Sequence, residues 1–175
     1  MSTDLFIHAT GLCALVLNVL ALVRTCEKSL RVQSGMAGMV WALNNFLLGA
    51  DTAAALSLVS AGRTATSAAT LRATQMLRLH LFLGFALLSL AVSAATWQGW
   101  PSVLLALASV ISTYAMFYLQ GSRLRWTMLA VSALWMVNAW TCHSWEQIAA
   151  NLLTAAAALA GAWRAQRASG QGLSS

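Results

Sequence analysis

Seven apolar stretches, each nearly long enough to cross a lipid bilayer, follow one another along this chain with only short interruptions. A membrane-crossing helix needs about 20 mostly apolar residues, and charged residues mark where most of the stretches stop. The stretches cover residues 4–23, 32–49, 51–69, 78–96, 101–119, 124–142 and 145–163. The sequence therefore predicts an all-α membrane protein with seven transmembrane helices.

Composition and charge exclude most soluble classes of protein. Hydrophobic residues make up 59% of the chain and charged residues only 8%, whereas a soluble domain carries about 25% charged residues because its surface must face water. The net charge of +6 comes from residues that flank the apolar stretches, which is typical of contacts with anionic lipid headgroups. We expect the lipid bilayer as a partner and no binding of nucleic acid.

Basic residues alternate along the chain with neutral or acidic connections. They follow the first, third, fifth and seventh stretches, as Arg24, Lys28 and Arg31; Arg72 and Arg78; Arg123 and Arg125; and Arg164 and Arg167. Segments rich in Lys and Arg stay on the cytoplasmic side of a membrane. The alternation predicts a multi-pass protein with its N-terminus outside and its C-terminus in the cytoplasm.

The chain repeats itself at an offset of 94 residues without a gap. Leu30-Arg31 then falls on Leu124-Arg125, and Trp41-x-x-Asn44 falls on Trp135-x-x-Asn138. Helices one to three thus correspond to helices five to seven, and a single linking helix makes the two triplets parallel. We predict a 3+1+3 parallel repeat, with the first repeat at 1–70, the linker helix at 71–100, the second repeat at 101–163 and a disordered cytoplasmic tail at 164–175.

The repeated tryptophan and asparagine pairs indicate a site near the middle of the membrane. Trp41 lies ten residues beyond Arg31, which is about 15 Å along a helix, or half the apolar thickness. Trp41 and Asn44, three residues apart, share a helix face, and an amide in hydrocarbon is unfavourable unless it is hydrogen-bonded. Each pair would form half of a polar solute site. The alternative is that the asparagines bond neighbouring helices, as we expect for Asn45, which points about 100° away from Asn44.

Further polar residues extend the candidate site. Arg63 is the charged residue well inside a stretch, where it could bind an anionic group or reach toward the cytoplasm. Asn18 and Ser112 occupy equivalent positions, as do Ser57 and Asn151. The candidate solute-binding residues are Trp41, Asn44, Trp135, Asn138, Asn18, Ser112, Asn151 and Arg63. We find no catalytic constellation, metal-ligand spacing, cofactor motif or ATP-binding GxxxxGK[ST] loop, so we expect neither an enzyme nor a cofactor.

Two long blocks carry a family resemblance. VQSGMAGMVWALNNFLLGADTAAALSLVSAGRT and ASVISTYAMFYLQGSRLRWTMLAVSALWMVNAWT, followed by AWRAQR, resemble the YgjV family of bacterial inner-membrane proteins. Its seven-helix layout is similar to that of the SWEET sugar facilitators and the PnuC vitamin-precursor transporters. The resemblance implies a location in the bacterial inner membrane and solute contacts for the midplane Trp and Asn residues. The chain departs from the SWEET pattern because its only proline, Pro101, starts the fifth helix instead of forming a hinge within a helix.

These observations favour a facilitative transporter of a small polar solute, of unknown identity, that works by alternating access. Coupling to protons is not indicated, since no carboxylate lies in the middle of a stretch. The first alternative is a non-transporting accessory or binding protein that retains the fold. A lipid-modifying enzyme is less favoured because no nucleophile and base occur together. Assembly into a homo-oligomer stays open.

Overall fold

The chain folds into α-helices connected by short turns. The computed structural model describes residues 3–22, 27–70, 73–119 and 121–171, and within these ranges it contains seven helices and no strand. They are α1 (Thr3–Leu22), α2 (Glu27–Leu47), α3 (Asp51–Ala69), α4 (Gln75–Ala95), α5 (Trp100–Tyr118), α6 (Gly121–Thr141) and α7 (Trp145–Gln171). Each predicted apolar stretch is confirmed as a helix. The predicted cytoplasmic residues Arg24 and Arg72 lie outside the described residues, as do the side chains of Lys28, Arg125, Arg164 and Arg167.

The last helix is longer than the sequence suggested. α7 continues to Gln171, into the segment 164–175 that we expected to be disordered, and residues 172–175 lie outside the described part of the chain. Alanine, arginine and glutamine, which have high helix propensity, dominate the start of that segment. A polar composition was therefore a poor indicator of disorder here.

Two turns with the same geometry end α2 and α6. After α2, Gly49 adopts a positive φ of 72° and Ala50 N donates to Asn45 O at 2.9 Å. After α6, His143 adopts a positive φ of 53° and Ser144 N donates to Ala139 O at 3.0 Å. Such left-handed turns satisfy the last carbonyl groups of a helix. Glycine adopts a positive φ without strain, so the turn at Gly49 is favourable. The turn after α6 places a histidine, His143, in the same conformation.

The helices pack in a consistent order. α1 contacts α2 and α7, α2 contacts α3, α3 contacts α4 and α5, and α5 and α7 both contact α6. α4 lies outside this arrangement against α3 and α5. The bundle thus consists of two groups of three helices, α1–α3 and α5–α7, which meet where α1 packs on α7 and α3 packs on α5.

The distribution of polar and apolar side chains is the reverse of that in a soluble protein. On α4 the buried residues are Ala86, Ser89 and Ser93, whereas Leu87, 65% exposed, and its apolar neighbours point outward. Large apolar side chains are exposed along every described helix. An exposed apolar surface of this extent is typical of helices that face lipid.

The hydropathy of the individual helices reflects this apolar exterior only in part. Among the described residues, α4 and α5 are long and apolar enough to cross a membrane, and Asp4–Leu20 is a shorter apolar segment. By length and composition alone, two such helices are weak evidence for a membrane protein. α2, α3 and α6 bury Arg, Asn, Ser or Thr side chains, which lower their mean hydropathy although their outer faces are apolar.

Candidate functional site

A cavity of about 240 Å³ lies between the two groups of three helices and is called the central cavity here. Its walls come from α1, α2, α3, α5, α6 and α7, and none of its lining residues belongs to α4. Six of the eight candidate residues line it: Asn18, Trp41, Arg63, Ser112, Trp135 and Asn151. The structure therefore collects in one place residues that are far apart in the sequence.

Arg63 is the most constrained polar side chain of the central cavity. Only 3% of it is exposed, and its guanidinium joins α3 to α5. Nη1 donates to Ser112 Oγ at 2.6 Å, to Thr113 Oγ1 at 3.0 Å and to Ser109 O at 3.0 Å, while Nη2 donates to Ser60 Oγ at 2.7 Å. Nε has no hydrogen-bond partner among the described residues. Arg63 is thus held inside the bundle and does not reach toward a membrane surface.

A second arginine lines the same cavity. Arg31, 6% exposed, is in the second turn of α2, and its Nη1 donates to Ser67 Oγ on α3 at 2.8 Å. The sequence marked Arg31 only as a residue of a cytoplasmic segment. Two cationic side chains therefore contribute to the wall of the central cavity.

The two repeated tryptophans line the central cavity from α2 and α6, and each also packs against the opposite group of helices. Trp41 forms an apolar cluster with Ala14 and Ala150 of α7. Trp135 packs on a cluster that contains Leu56 of α3 and Leu105. The flat indole rings give the cavity apolar walls beside its polar groups.

The two paired asparagines do not line the cavity. Asn44 is fully buried, and its Nδ2 donates to Ile7 O at 2.8 Å and to Thr10 Oγ1 at 3.0 Å on α1. Asn138 is buried as well, and its Nδ2 has no partner among the described residues. Three residues along a helix correspond to a rotation of about 60° and a rise of about 4.5 Å. That displacement is enough to turn Asn44 away from the space that Trp41 faces.

Asn45 bonds to a neighbouring helix, as expected. Its Nδ2 donates to Trp41 O at 2.9 Å and to Ser57 Oγ of α3 at 3.4 Å. The two consecutive amides therefore fasten α2 to α1 on one side and to α3 on the other. Hydrogen bonding between helices explains why this polar pair is tolerated in an apolar segment.

Polar contacts link the two groups of helices at one end of the bundle. His8 Nδ1 of α1 lies 2.6 Å from Glu146 Oε1 of α7, and Thr52 at the start of α3 bonds to Ser102 of α5 at 3.1 Å and to the carbonyl of Thr96. Gly11 permits a close approach here, because a Cβ at this position would lie 3.1 Å from Glu146 Cβ. These contacts join the two groups of helices beyond the tryptophans.

Sequence reasoning missed several lining residues, mostly small and hydroxylated side chains. They include Ser34, Gly38, Ser60, Thr64, Ser132, Gln147 and Thr154. Single Ser and Thr residues in apolar helices are common and carry little information. The offset of 94 residues was the available signal, because it relates Gly38 to Ser132 and Ser60 to Thr154.

The lining residues provide polar groups and flat apolar surfaces in one cavity. Within the described ranges no group of three His, Cys, Asp or Glu side chains could hold a metal ion, and the lining residues include no acid. The site instead offers guanidinium, amide and hydroxyl groups beside two indole rings. It can bind a small polar molecule by hydrogen bonds and flat apolar contact.

Comparison with known proteins agrees with the membrane character of the fold. Neither a search of curated proteins nor a search of solved structures found a match to this chain. The profile of the Imp-YgjV family, described as bacterial inner membrane protein, matches residues 5–169, which is nearly the whole chain. The protein therefore belongs to the YgjV family of bacterial inner membrane proteins.

Proposed function

We propose that the protein is a facilitative transporter, which carries a small polar solute across the bacterial inner membrane by alternating access at the central cavity. The observation that carries this proposal is the pairing of the residues that line the cavity. Six pairs of lining residues are each 94 positions apart: Asn18 and Ser112, Ser34 and Met128, Gly38 and Ser132, Trp41 and Trp135, Ser57 and Asn151, and Ser60 and Thr154.

This pairing supports a site on a pseudo-twofold axis. If α1–α3 and α5–α7 are equivalent units, positions that face the axis in one unit face it in the other. The helix contacts support the same relation, because the packing of α1 on α7 becomes that of α5 on α3 when the units are exchanged. The turns after α2 and α6, centred on Gly49 and His143, are also 94 residues apart. We therefore propose a 3+1+3 parallel repeat with α4 as the linker helix.

The membrane orientation follows from charge. With seven crossings and the basic segments inside, the N-terminus lies outside and the C-terminus in the cytoplasm. In this orientation the contacts of His8 with Glu146 and of Thr52 with Ser102 lie at the outer end of the bundle. Arg31 near the start of α2 and Met116 near the end of α5 extend the cavity lining toward the inner end. We propose that the structure represents an inward-facing conformation.

The mechanism requires a movement of the two units relative to each other. Opening outward would separate the outer contacts and close the inner ends around the solute, which is the usual form of alternating access in proteins built from repeats. The described residues that line the cavity include no carboxylate, and we propose that net movement follows the solute gradient without coupling to protons.

A thermal-shift screen of the detergent-purified protein tests solute binding. Sugars, nucleosides, vitamins, amino acids and organic acids are each added to the wild type and to the double variant Trp41→Ala with Trp135→Ala. A solute that binds the folded state raises the melting temperature, by an amount that increases with the ratio of its concentration to its Kd. We expect at least one compound to stabilise the wild type and to have no effect on the variant.

A matched control separates loss of the site from general damage. Trp97→Ala with Trp126→Ala also removes two indole rings, but both are exposed and neither lines the central cavity. This variant should respond to the solute as the wild type does. If the solute stabilises both double variants equally, it binds outside the central cavity, and the transport proposal loses its site.

One observation favours a second function, that of a non-transporting accessory protein with the same fold. The only proline, Pro101, is in the first turn of α5, so no described helix has an internal proline hinge. Solute exchange across proteoliposome membranes distinguishes the two functions, since an accessory protein would bind a compound without exchanging it. Neither function assigns a chemical reaction to the protein.

A further inference from the structure

We infer that the solute of the central cavity is a small organic anion and that the guanidinium of Arg63 binds its carboxylate or other oxyanion group. This inference rests on the proposed function and deepens it, because it names the class of solute. Four properties of the cavity support it: its charge, the neutral partners of Arg63, the asymmetry of its walls and its size.

Among the described residues, Arg63 is a cation at the cavity wall with no acid beside it. The described lining residues include no Asp or Glu, and Arg31, which also lines the cavity, has partners of its own. The described acids whose side chains can be placed are Asp4, Asp51 and Glu146, each in the first turn of its helix. Arg63 lies twelve residues beyond Asp51 on α3, which is about 18 Å along a helix.

The hydrogen-bond partners of Arg63 are all neutral. They are the hydroxyl groups of Ser60, Ser112 and Thr113 and the carbonyl of Ser109. These oxygens orient the guanidinium but carry no negative charge to balance it. A buried charge without a counter-ion is strongly unfavourable, and an ionisable side chain inside a membrane usually marks a site for substrate or ion. An anionic solute would supply the missing charge.

The two walls of the cavity differ at this position. The residue equivalent to Arg63 at the offset of 94 is Ala157, and the residue equivalent to Thr64 is Ala158. A requirement common to both three-helix units would place similar residues at both positions. The guanidinium is therefore an addition to one wall of an otherwise paired site. A solute with one charged end and one uncharged end matches that asymmetry.

The size of the cavity restricts the solute further. A volume of about 240 Å³ corresponds to about eight water molecules at roughly 30 Å³ each and lies below the usual range for drug-sized ligands. Trp41 and Trp135 add flat apolar walls. A compact organic acid fits these dimensions, with its charged group at Arg63 and its uncharged part against an indole ring.

Matched acids and amides test the inference on the wild-type protein. Lactate is compared with lactamide, and benzoate with benzamide, at constant ionic strength in the thermal-shift assay. Each pair has nearly the same shape and differs by one negative charge. We expect the acid of at least one pair to bind at least tenfold more tightly than its amide. Equal binding of acid and amide, or binding of neither, would overturn the inference.

Two variants of Arg63 assign the preference to this residue. Arg63→Gln removes the charge and should abolish the difference between acid and amide, whereas Arg63→Lys keeps the charge and should retain part of it. If Arg63→Gln does not fold, the inference is tested by comparing the acid preference of Arg63→Lys with that of the wild type. A full acid preference in a folded Arg63→Gln variant would contradict the assignment.

Charge movement distinguishes failure of this inference from failure of the proposed function. In proteoliposomes with a potassium gradient and valinomycin, an inside-positive potential should drive uptake of the preferred acid. Exchange of neutral amides that does not respond to the potential would preserve the transporter proposal and overturn the anion inference. If an acid binds but no solute is exchanged, the site prefers anions and the transport proposal is wrong.

Discussion

Arg63 Nη1 on α3 donates a 2.6 Å hydrogen bond to Ser112 Oγ on α5, at the wall of the central cavity. The two residues belong to different three-helix groups, and this bond is one of the links between them. It places a guanidinium at the seam along which the two groups would have to move. The same contact thus joins the two groups of helices and positions a cationic group at the cavity wall.

Ser112→Ala should lower stability only modestly. Hydrogen bonds to charged groups contribute about 1.5–3 kcal/mol, but Arg63 keeps Thr113 Oγ1 and Ser109 O as acceptors, so we expect a loss of about 1 kcal/mol. Titration of unfolding with a denaturing detergent measures it. Thr127→Ala is the control, because its hydroxyl bonds within α6 to Arg123 O. An equal loss of stability in both variants would show that the hydrogen bond between α3 and α5 contributes no more than a hydroxyl bond within one helix.

Asn44→Ala should weaken the attachment of α1 to α2. The substitution removes the hydrogen bonds to Ile7 O and Thr10 Oγ1, and hydrogen bonds between membrane helices average about 0.6 kcal/mol each. We expect a loss of about 1 kcal/mol in the free energy of unfolding. The neighbouring Leu43 is 44% exposed, so Leu43→Ala should change it less. The reverse order would contradict the role assigned to Asn44.

Gly11→Ala should separate α1 from α7 at the end of the bundle where His8 contacts Glu146. A Cβ there would lie 3.1 Å from Glu146 Cβ and 3.3 Å from Asn44 Nδ2, so both neighbours must shift. We expect a lower melting temperature and increased access of water-soluble reagents to residues near Glu146. Gly84→Ala on α4 is the matched control, because its Cβ would meet no atom within 4 Å. Equal behaviour of the two variants would argue against a close helix contact at Gly11.

Cysteine labelling tests the inward-facing conformation. Ser34 lines the central cavity near the inner end of α2, so Ser34→Cys in a background without Cys13, Cys26 and Cys142 should react with a membrane-impermeant thiol reagent. The reaction should be faster in inverted vesicles than in spheroplasts. Leu43→Cys, on the exposed apolar surface of α2, should react in neither. Labelling of Ser34→Cys only in spheroplasts would reverse the assigned orientation.

The sequence by itself determined the helices and six of the residues that line the central cavity. Apolar stretches interrupted by charges indicate membrane helices. The seven predicted stretches correspond to α1–α7 within five residues at each end, except that α7 continues eight residues further. The repeat at 94 residues related Trp41 to Trp135 and Asn18 to Ser112, and these four residues line one cavity. The offset found these pairs because both members of each pair occupy corresponding positions in similar apolar stretches.

Only the tertiary structure decided which neighbour each polar side chain meets. Asn44 shares a face with Trp41 in the sequence pattern but bonds to α1, while Arg63 is directed by hydroxyl groups on α5 to the cavity wall. The sequence had treated Arg31 as a topology marker, yet it is buried beside that cavity. A rotation of about 60° on a helix changes the neighbouring element entirely, and only helix packing fixes that rotation.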